Sequence, residues 1–221
     1  MSSIPNPLAL VRRVADVYRR RGPGAVLRGI VTNLVYASET QIWFEADLTK
    51  ERGEVTSVDV EEAGDELLPA ALAVQDTNTE VLDERRAGRA RAWVGKVEGA
   101  VGFVCWTFAE RTPVLAARGG WLAMPPGVEC LEDSLTAPEF RGRGLAPKVW
   151  AVVEDRRADD GVNSLITKVE VENVASCRAV ARAGFRHVAT MRFTRFGPFS
   201  RVRISAAPNG IGPHLVAELE R

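Results

Sequence analysis

Cysteine, histidine and tyrosine are all scarce in this chain, and each scarcity removes a class of chemistry. The three cysteines, Cys105, Cys130 and Cys177, form no C-x-x-C pair, and their odd number gives no disulfide framework. The two histidines, His187 and His214, are too few and too scattered for a zinc site, so no metal is expected. No apolar run approaches the ~18 residues of a membrane-spanning helix. The first apolar stretch, Pro7 to Val11, runs straight into Arg12 and Arg13, unlike a secretory leader. These absences predict a soluble, cytoplasmic protein with no transmembrane segment. Excess charge is missing too, since 29 Lys+Arg balance 29 Asp+Glu. A protein that grips nucleic acid through overall positive charge is therefore not expected, although a local basic patch remains open.

What is present fits a folded domain: 46% of the 221 residues are hydrophobic and 26% charged. The zero charge is a sum of unlike parts. Residues 1–38 hold six arginines against Asp16 alone, a local +5, and residues 51–84 hold eleven acids against Arg52 alone, a local −10. Such blocks suggest separate surfaces with separate partners, or the solvated faces of amphipathic helices.

Leu8, Val11, Val14 and Tyr18 recur at helical spacing over 7–21, and Gly22-Pro23-Gly24 breaks that pattern. A second helical pattern covers 25–36, and Thr40–Asp47 reads as a strand. From 53 onward the periodicity predicts the order β-α-α-β-β-β-α-β-α-β-β. Its helices fall at 66–74, 79–86, 145–157 and 174–183. Its strands fall at 55–60, 91–97, 101–108, 128–136, 164–171, about 186–195 and 200–206. Residues 111–127 are expected to be a Gly/Pro-rich loop. The prediction is a mixed α/β sheet with a crossover helix between two parallel strands. Three parts follow: a basic helical extension plus one strand (1–52), the α/β domain (53–206) and a C-terminal tail (207–221).

Two segments carry chemistry. In Leu135-Thr-Ala-Pro-Glu-Phe-Arg-Gly-Arg-Gly-Leu-Ala-Pro-Lys148 a strand ends, Gly142 and Gly144 permit a tight turn, and a helix begins. Unpaired N–H groups at a helix start suit a phosphate, and Arg141, Arg143 and Lys148 add positive charge. In Glu172-Asn-Val-Ala-Ser-Cys-Arg-Ala-Val-Ala-Arg-Ala-Gly-Phe185, Asn173 is a helix N-cap and Gly184 a helix stop. Each segment alone has a purely structural explanation. Together, one strand apart, they resemble the GNAT superfamily of acyl-CoA-dependent N-acetyltransferases. Arg141-x-x-Gly144-x-Ala146 is similar to that family's pyrophosphate loop, and Asn173…Gly184-Phe185 to its Asn…Gly-Phe segment. No GxGxxG or GKS/GKT motif supports a dinucleotide or P-loop alternative.

The resemblance implies a GNAT-like fold in which acetyl-CoA is the co-substrate. Its pantetheine would pair with backbone near Leu135 and Thr136, and its pyrophosphate would meet the N–H groups of Arg141, Gly142, Arg143, Gly144, Leu145 and Ala146. Asn173 and Ser176 would face the thioester. The base that takes the amine proton would come from the strand ending at Thr136, which offers Glu129, Glu132 and Asp133. Alternation puts Glu132 on the face of Cys130, Ser134 and Thr136, while a β-bulge would favour Asp133. Many members carry a tyrosine four residues before Gly-Phe as the acid for the thiolate. Here that position is Val180, and the only tyrosines are Tyr18 and Tyr36. The Asn173-x-x-Ser176 form resembles a branch without that tyrosine, leaving Ser176, Cys177 or water to supply the proton. His187 is expected to be a half-buried structural residue.

The expected activity is acetyl transfer from acetyl-CoA to a primary amine of a small molecule or a peptide N-terminus. The acidic block beside the acceptor side suggests a cationic amine, with Asp76, Glu80 and Asp83 contributing. The basic helix suggests packing on that block or a homodimer. Two alternatives stand beside this reading: a non-catalytic acyl-CoA-binding or sensor module, and a GNAT-fold enzyme that uses another acyl-CoA or decarboxylates it.

Overall fold

The computed structural model describes residues 36–50, 58–75, 82, 85, 89–197 and 199–220. The expected helix at 7–21 and all but Tyr36 of the one expected at 25–36 lie outside these residues, as do Asp76, Glu80 and Asp83. The first described element is strand β1 (Tyr36–Asp47), longer than its sequence signal and starting where a helical pattern was expected to end. It is followed by β2 (Asp59–Glu62), helix α1 (Leu68–Val74), β3 (Ala90–Val97) and β4 (Ala100–Phe108). Next come the short strands β5 (Arg111–Pro113) and β6 (Trp121–Ala123), then β7 (Val128–Thr136) and helix α2 (Leu145–Asp159). Strand β8 (Ser164–Glu170), helix α3 (Val174–Arg182), β9 (Arg186–Phe196), β10 (Phe199–Ala206) and helix α4 (Gly212–Leu219) complete the order.

Eight strands form one mixed sheet in the order β10-β9-β1-β8-β7-β4-β3-β2, and β5 pairs with β6 as a separate hairpin. Among the described strands only β7 and β8 run parallel, joined by α2 as the crossover. Strand β1 enters from outside the expected domain and sits between β8 and β9, antiparallel to both. Its sequence Ile42-Trp-Phe-Glu-Ala explains this central place: Trp43 joins one apolar cluster and Phe44 the other, so both faces of the strand are covered.

The first cluster holds Val104, Trp106, Phe108, Met191 and Leu72 of α1, and the second holds Phe103, Leu131, Leu165 and Val149 and Val153 of α2. Helix α2 lies close on β3 because Gly95 has no side chain. A Cβ there would stand 2.5 Å from Val149 Cγ2. The expected tail contains α4, which buries Leu215 and Leu219 completely. Its first N–H groups have an anchor as well, since Ile211 N donates to the buried carboxylate of Glu45 on β1 at 3.2 Å. Among the described residues no helix is long and apolar enough to cross a membrane.

Candidate active site

The site originates where two parallel strands stop pairing. β7 and β8 are in register only from Val128–Cys130 against Ser164–Ile166, yet β7 continues to Thr136 and β8 to Glu170. On its other side β7 stays paired with β4, with Trp106 opposite Glu132 and Val104 opposite Leu135. Two residues, Asp133 and Ser134, therefore face one, Cys105, and Asp133 takes φ +51°. This is a β-bulge, which bends and twists its strand, at the level where β7 parts from β8.

The parted strands open a cleft of about 1150 Å³. Glu132 to Thr136 line it from β7, and Thr167 to Glu170 line it from β8. At one end is the glycine loop. Gly142 and Gly144 hold φ +79° and +67°, and nothing lies within 4 Å of a Cβ built on either. Gly144 is the left-handed N-cap of α2, whose first turn has no capping side chain. Gly142, Gly144, Leu145 and Ala146 line the cleft, and the start of α2 offers it N–H groups without an intrahelical partner, while Arg141 N donates to Pro138 O at 3.4 Å. Across the gap, Asn173 caps α3 by accepting from Ser176 N at 3.1 Å, and both residues line the cleft. These features fit an acyl-CoA: an unpaired strand edge at Leu135 and Thr136 for the amide-bearing arm, and an uncapped helix start for the phosphates.

Arg143 and Lys148 do not line this cleft. The guanidinium of Arg143 lies over the Phe140 ring, 5.2 Å from its centroid, and Lys148 is exposed. Arg141 Nε donates to Thr136 O at 3.3 Å, fastening the loop to the end of β7.

The three acids of β7 have three different surroundings. Glu129 is buried and held by Arg157 of α2 through two hydrogen bonds of 2.6 and 2.9 Å, away from the cleft. Glu132 lines the cleft with its side chain 11% exposed. Its carboxylate forms an ion pair with Lys168 of β8 and accepts from Cys130 Sγ at 3.1 Å. Burial raises its pKa, while the charge and hydrogen bond of Lys168 oppose that rise. Asp133 sits on the bulge and pairs with Arg85 at 2.5 Å. The bulge expected to favour Asp133 begins after Glu132, so Glu132 keeps the face of Cys130. Ser134 is the residue that changes sides, accepting from Trp150 Nε1 of α2 at 3.0 Å.

On the α1 side of β7, Gln75 and Arg85 line a smaller hollow of about 230 Å³ that shares Asp133, Ser134 and Leu135 with the cleft. Arg85 stacks over Trp106 at 4.3 Å and donates to Gln75 Oε1 at 3.1 Å, and Trp106 Nε1 donates to the same oxygen at 2.9 Å. Burial lowers the pKa of Arg85, and the charge of Asp133 counters it.

Lys168, Arg85 and Gln75 escaped sequence reasoning. Lys168 had a signal, as the one charge inside the apolar run Leu165-Ile-Thr-Lys-Val, where an unpaired ammonium would be costly. Arg85 and Gln75 had none, because their roles depend on α1 folding back onto β4. The tyrosine position, Val180, is buried at 2% exposure and lines the cleft. Tyr36 is 50% exposed and opposite Phe196, outside the cleft. His187 is exposed rather than half-buried, and shares a hydrogen bond of 3.0 Å with Thr190 Oγ1. Cys105 and Cys130 are buried, which pushes both thiols up in pKa.

A mixed sheet whose central parallel strands splay beside a glycine loop defines the class of α/β fold to which this chain belongs. The chain belongs to the GNAT acetyltransferase family, whose model, "Acetyltransferase (GNAT) family", matches residues 59–185, more than half of the chain. Solved structures share the fold. A GNAT-family protein from Novosphingobium aromaticivorans is 18% identical with a TM-score of 0.51, over 77% of this chain and 66% of that one. An acetyltransferase of the family from Colwellia psychrerythraea is 20% identical at TM-score 0.51, over 77% and 60%. A GCN5-related N-acetyltransferase from Sphaerobacter thermophilus is 14% identical at TM-score 0.52, over 80% and 57%. This chain thus spans less than two thirds of the length of each. No curated protein matches the sequence.

Proposed function

We propose that the protein transfers an acetyl group from acetyl-CoA directly to a primary amine of a small molecule or a peptide N-terminus. The observation that carries this reading is the splay of β7 from β8. It exposes an unpaired backbone edge at Leu135 and Thr136, between an uncapped helix start on one side and the Glu132 carboxylate on the other. The thioester supplies a good leaving group and an electrophilic carbonyl. The protein's part is to align the two reactants, take a proton from the amine and return one to sulfur.

In this reading Leu135 and Thr136 hold the pantetheine and the main chain of 141–146 holds the pyrophosphate. Asn173 and Ser176 stand beside the thioester. Glu132 is the general base: Glu129 is bound to Arg157 away from the cleft, and of the two acids that line it, Glu132 is the buried one, with its pKa raised, while Asp133 is bound to Arg85. A cationic acceptor suits this end of the cleft. The carboxylates of Glu39, Glu132, Asp133 and Glu170 interact with one another there, with Lys168 and Arg85 as the cations among them. Val180 at the tyrosine position favours one other reading, a module that binds acyl-CoA without turnover.

Thiol release from acetyl-CoA, screened over spermidine, neamine, benzylamine and a set of peptides with free N-termini, decides between them. Release only with an amine, fastest with the multiply charged amines, is the expected result. Tight CoA binding without release would replace this reading with the binding module. Amine-independent release would point to hydrolysis of the thioester, with water in place of the amine.

A further inference from the structure

A direct acyl transfer leaves a thiolate to be protonated, and the described residues place no tyrosine in the cleft. They place an ammonium there instead. We propose that Lys168 is the proton donor to the departing thiolate, and that Glu132 and Lys168 work as one self-resetting pair. This inference rests on the acetyl-transfer reading above.

Three observations carry it. First, Glu132 and Lys168 lie on β7 and β8 beyond the last backbone pair, Cys130 with Ile166, so their side chains join the strands where the backbones have parted. Second, both line the cleft, and each side chain is 11% exposed, so the pair is sheltered from water yet open to a ligand. Third, Lys168 is held in place. Trp43 is its register partner on β1, and the ammonium lies 5.8 Å from the Trp43 ring centroid. The charged and titratable groups facing Lys168 are Glu132, Asp133 and Cys130 on β7, Glu39 on β1 and Glu170 on its own strand.

Electrostatic coupling within the pair supplies the timing. Burial favours neutral Lys168, and the Glu132 carboxylate overrides it, leaving the pKa above the ordinary lysine value. Once Glu132 accepts a proton that support disappears while the burial remains, so Lys168 becomes a stronger acid. The proton account then closes. The neutral amine attacks the thioester carbonyl, the N–C bond forms and an amine proton passes to Glu132. The C–S bond breaks with its electron pair going to sulfur, and Lys168 gives its proton to that sulfur. Glu132 hands its proton to the now neutral Lys168, which restores the ion pair. One proton has moved from amine to thiol, with no outside acid or base.

The test compares wild type with Lys168→Met, Lys168→Arg, Glu132→Gln and the double variant Glu132→Gln/Lys168→Met. It uses acetyl-CoA and the fastest amine of the panel, from pH 6 to 11. Melting temperature and the Kd for CoA are measured in parallel. Arginine keeps the charge opposite Glu132 but holds its proton too tightly to give it up. Both Lys168 variants are expected to lose about 10²–10⁴ in kcat, with the Kd for CoA within about threefold, as pantetheine and phosphate contacts are untouched. The wild-type rate falls at high pH as Lys168 deprotonates, and the residual rate of the Lys168 variants lacks that fall. The double variant, which leaves no unpaired buried charge, is expected to lose little more than Lys168→Met alone, because groups that act as a unit are not additive. The proposal is overturned if Lys168→Arg keeps more than a tenth of the wild-type kcat, if the alkaline fall survives in the Lys168 variants, or if the double variant's loss is the product of the two single losses. Loss of CoA binding or of the folding transition in all variants would overturn it too, by making the pair structural. A wild-type protein that releases no thiol with any amine refutes the acetyl-transfer reading itself, a result distinct from all of these.

Discussion

Glu132 is the general base in the mechanism we propose, and its surroundings specify how pH would act on it. A general base works deprotonated, so the rate falls as pH drops through its pKa. Burial raises that pKa above the ordinary glutamate value of 4.5. The acid limb of kcat/KM is therefore expected above 4.5, and Glu132→Gln is expected to remove that limb together with about 10²–10⁴ of the rate. A limb at or below 4.5, or a variant within tenfold of wild type, would transfer the role elsewhere. Alternation along the strand was enough to place Glu132 on the face of Cys130, which the structure keeps. The fates of its neighbours were not legible there. Glu129 meets an arginine 28 positions away, and Asp133 one 48 positions away, and no local pattern encodes such pairs.

Among the elements, β7 and α2 form the unit that builds the site, and their bounds were largely readable. β7 spans the expected residues, and α2 starts where Gly144 permits the left-handed cap that opens it. What fastens the two together is the ion pair of Arg157 with Glu129, with side chains 5% and 7% exposed. Breaking one partner of a buried pair leaves a charge without compensation, so Arg157→Leu is expected to cost about 3–5 kcal/mol. Replacing both by leucine should recover most of it. Chemical denaturation of the single and double variants checks this, and equal losses in both would show that packing rather than charge is responsible. The small β5–β6 hairpin within the expected loop, and α4 within the expected tail, were missed for a common reason. Short elements gain too little from local propensity to leave a pattern, and α4 is fixed instead by burying Leu215 and Leu219 and by the Glu45 carboxylate at its start.

At the scale of the molecule, the family's matched region does not contain every strand of its own sheet. Residues 59–185 leave out β1, which lies between β8 and β9 and supplies Trp43 beneath Lys168. A fragment of residues 58–221 would expose two open strand edges and the apolar partners of Trp43 and Phe44. It is expected to aggregate or to lack a cooperative melt. A monomeric fragment with a cooperative transition, seen by size exclusion and circular dichroism, would show that β1 is dispensable.

The sequence by itself determined the class of fold and the glycine loop and asparagine cap that line the cleft. Those features are local: a strand, two glycines, an uncapped helix start and an asparagine cap are each written within a few adjacent residues. Only the tertiary structure decided the surroundings of the β7 carboxylates. Which cation pairs with each of them, and which strand lies beneath Lys168, depend on residues far apart in the chain being brought together. Burial then changes the acidity of those groups, and no residue carries that information alone.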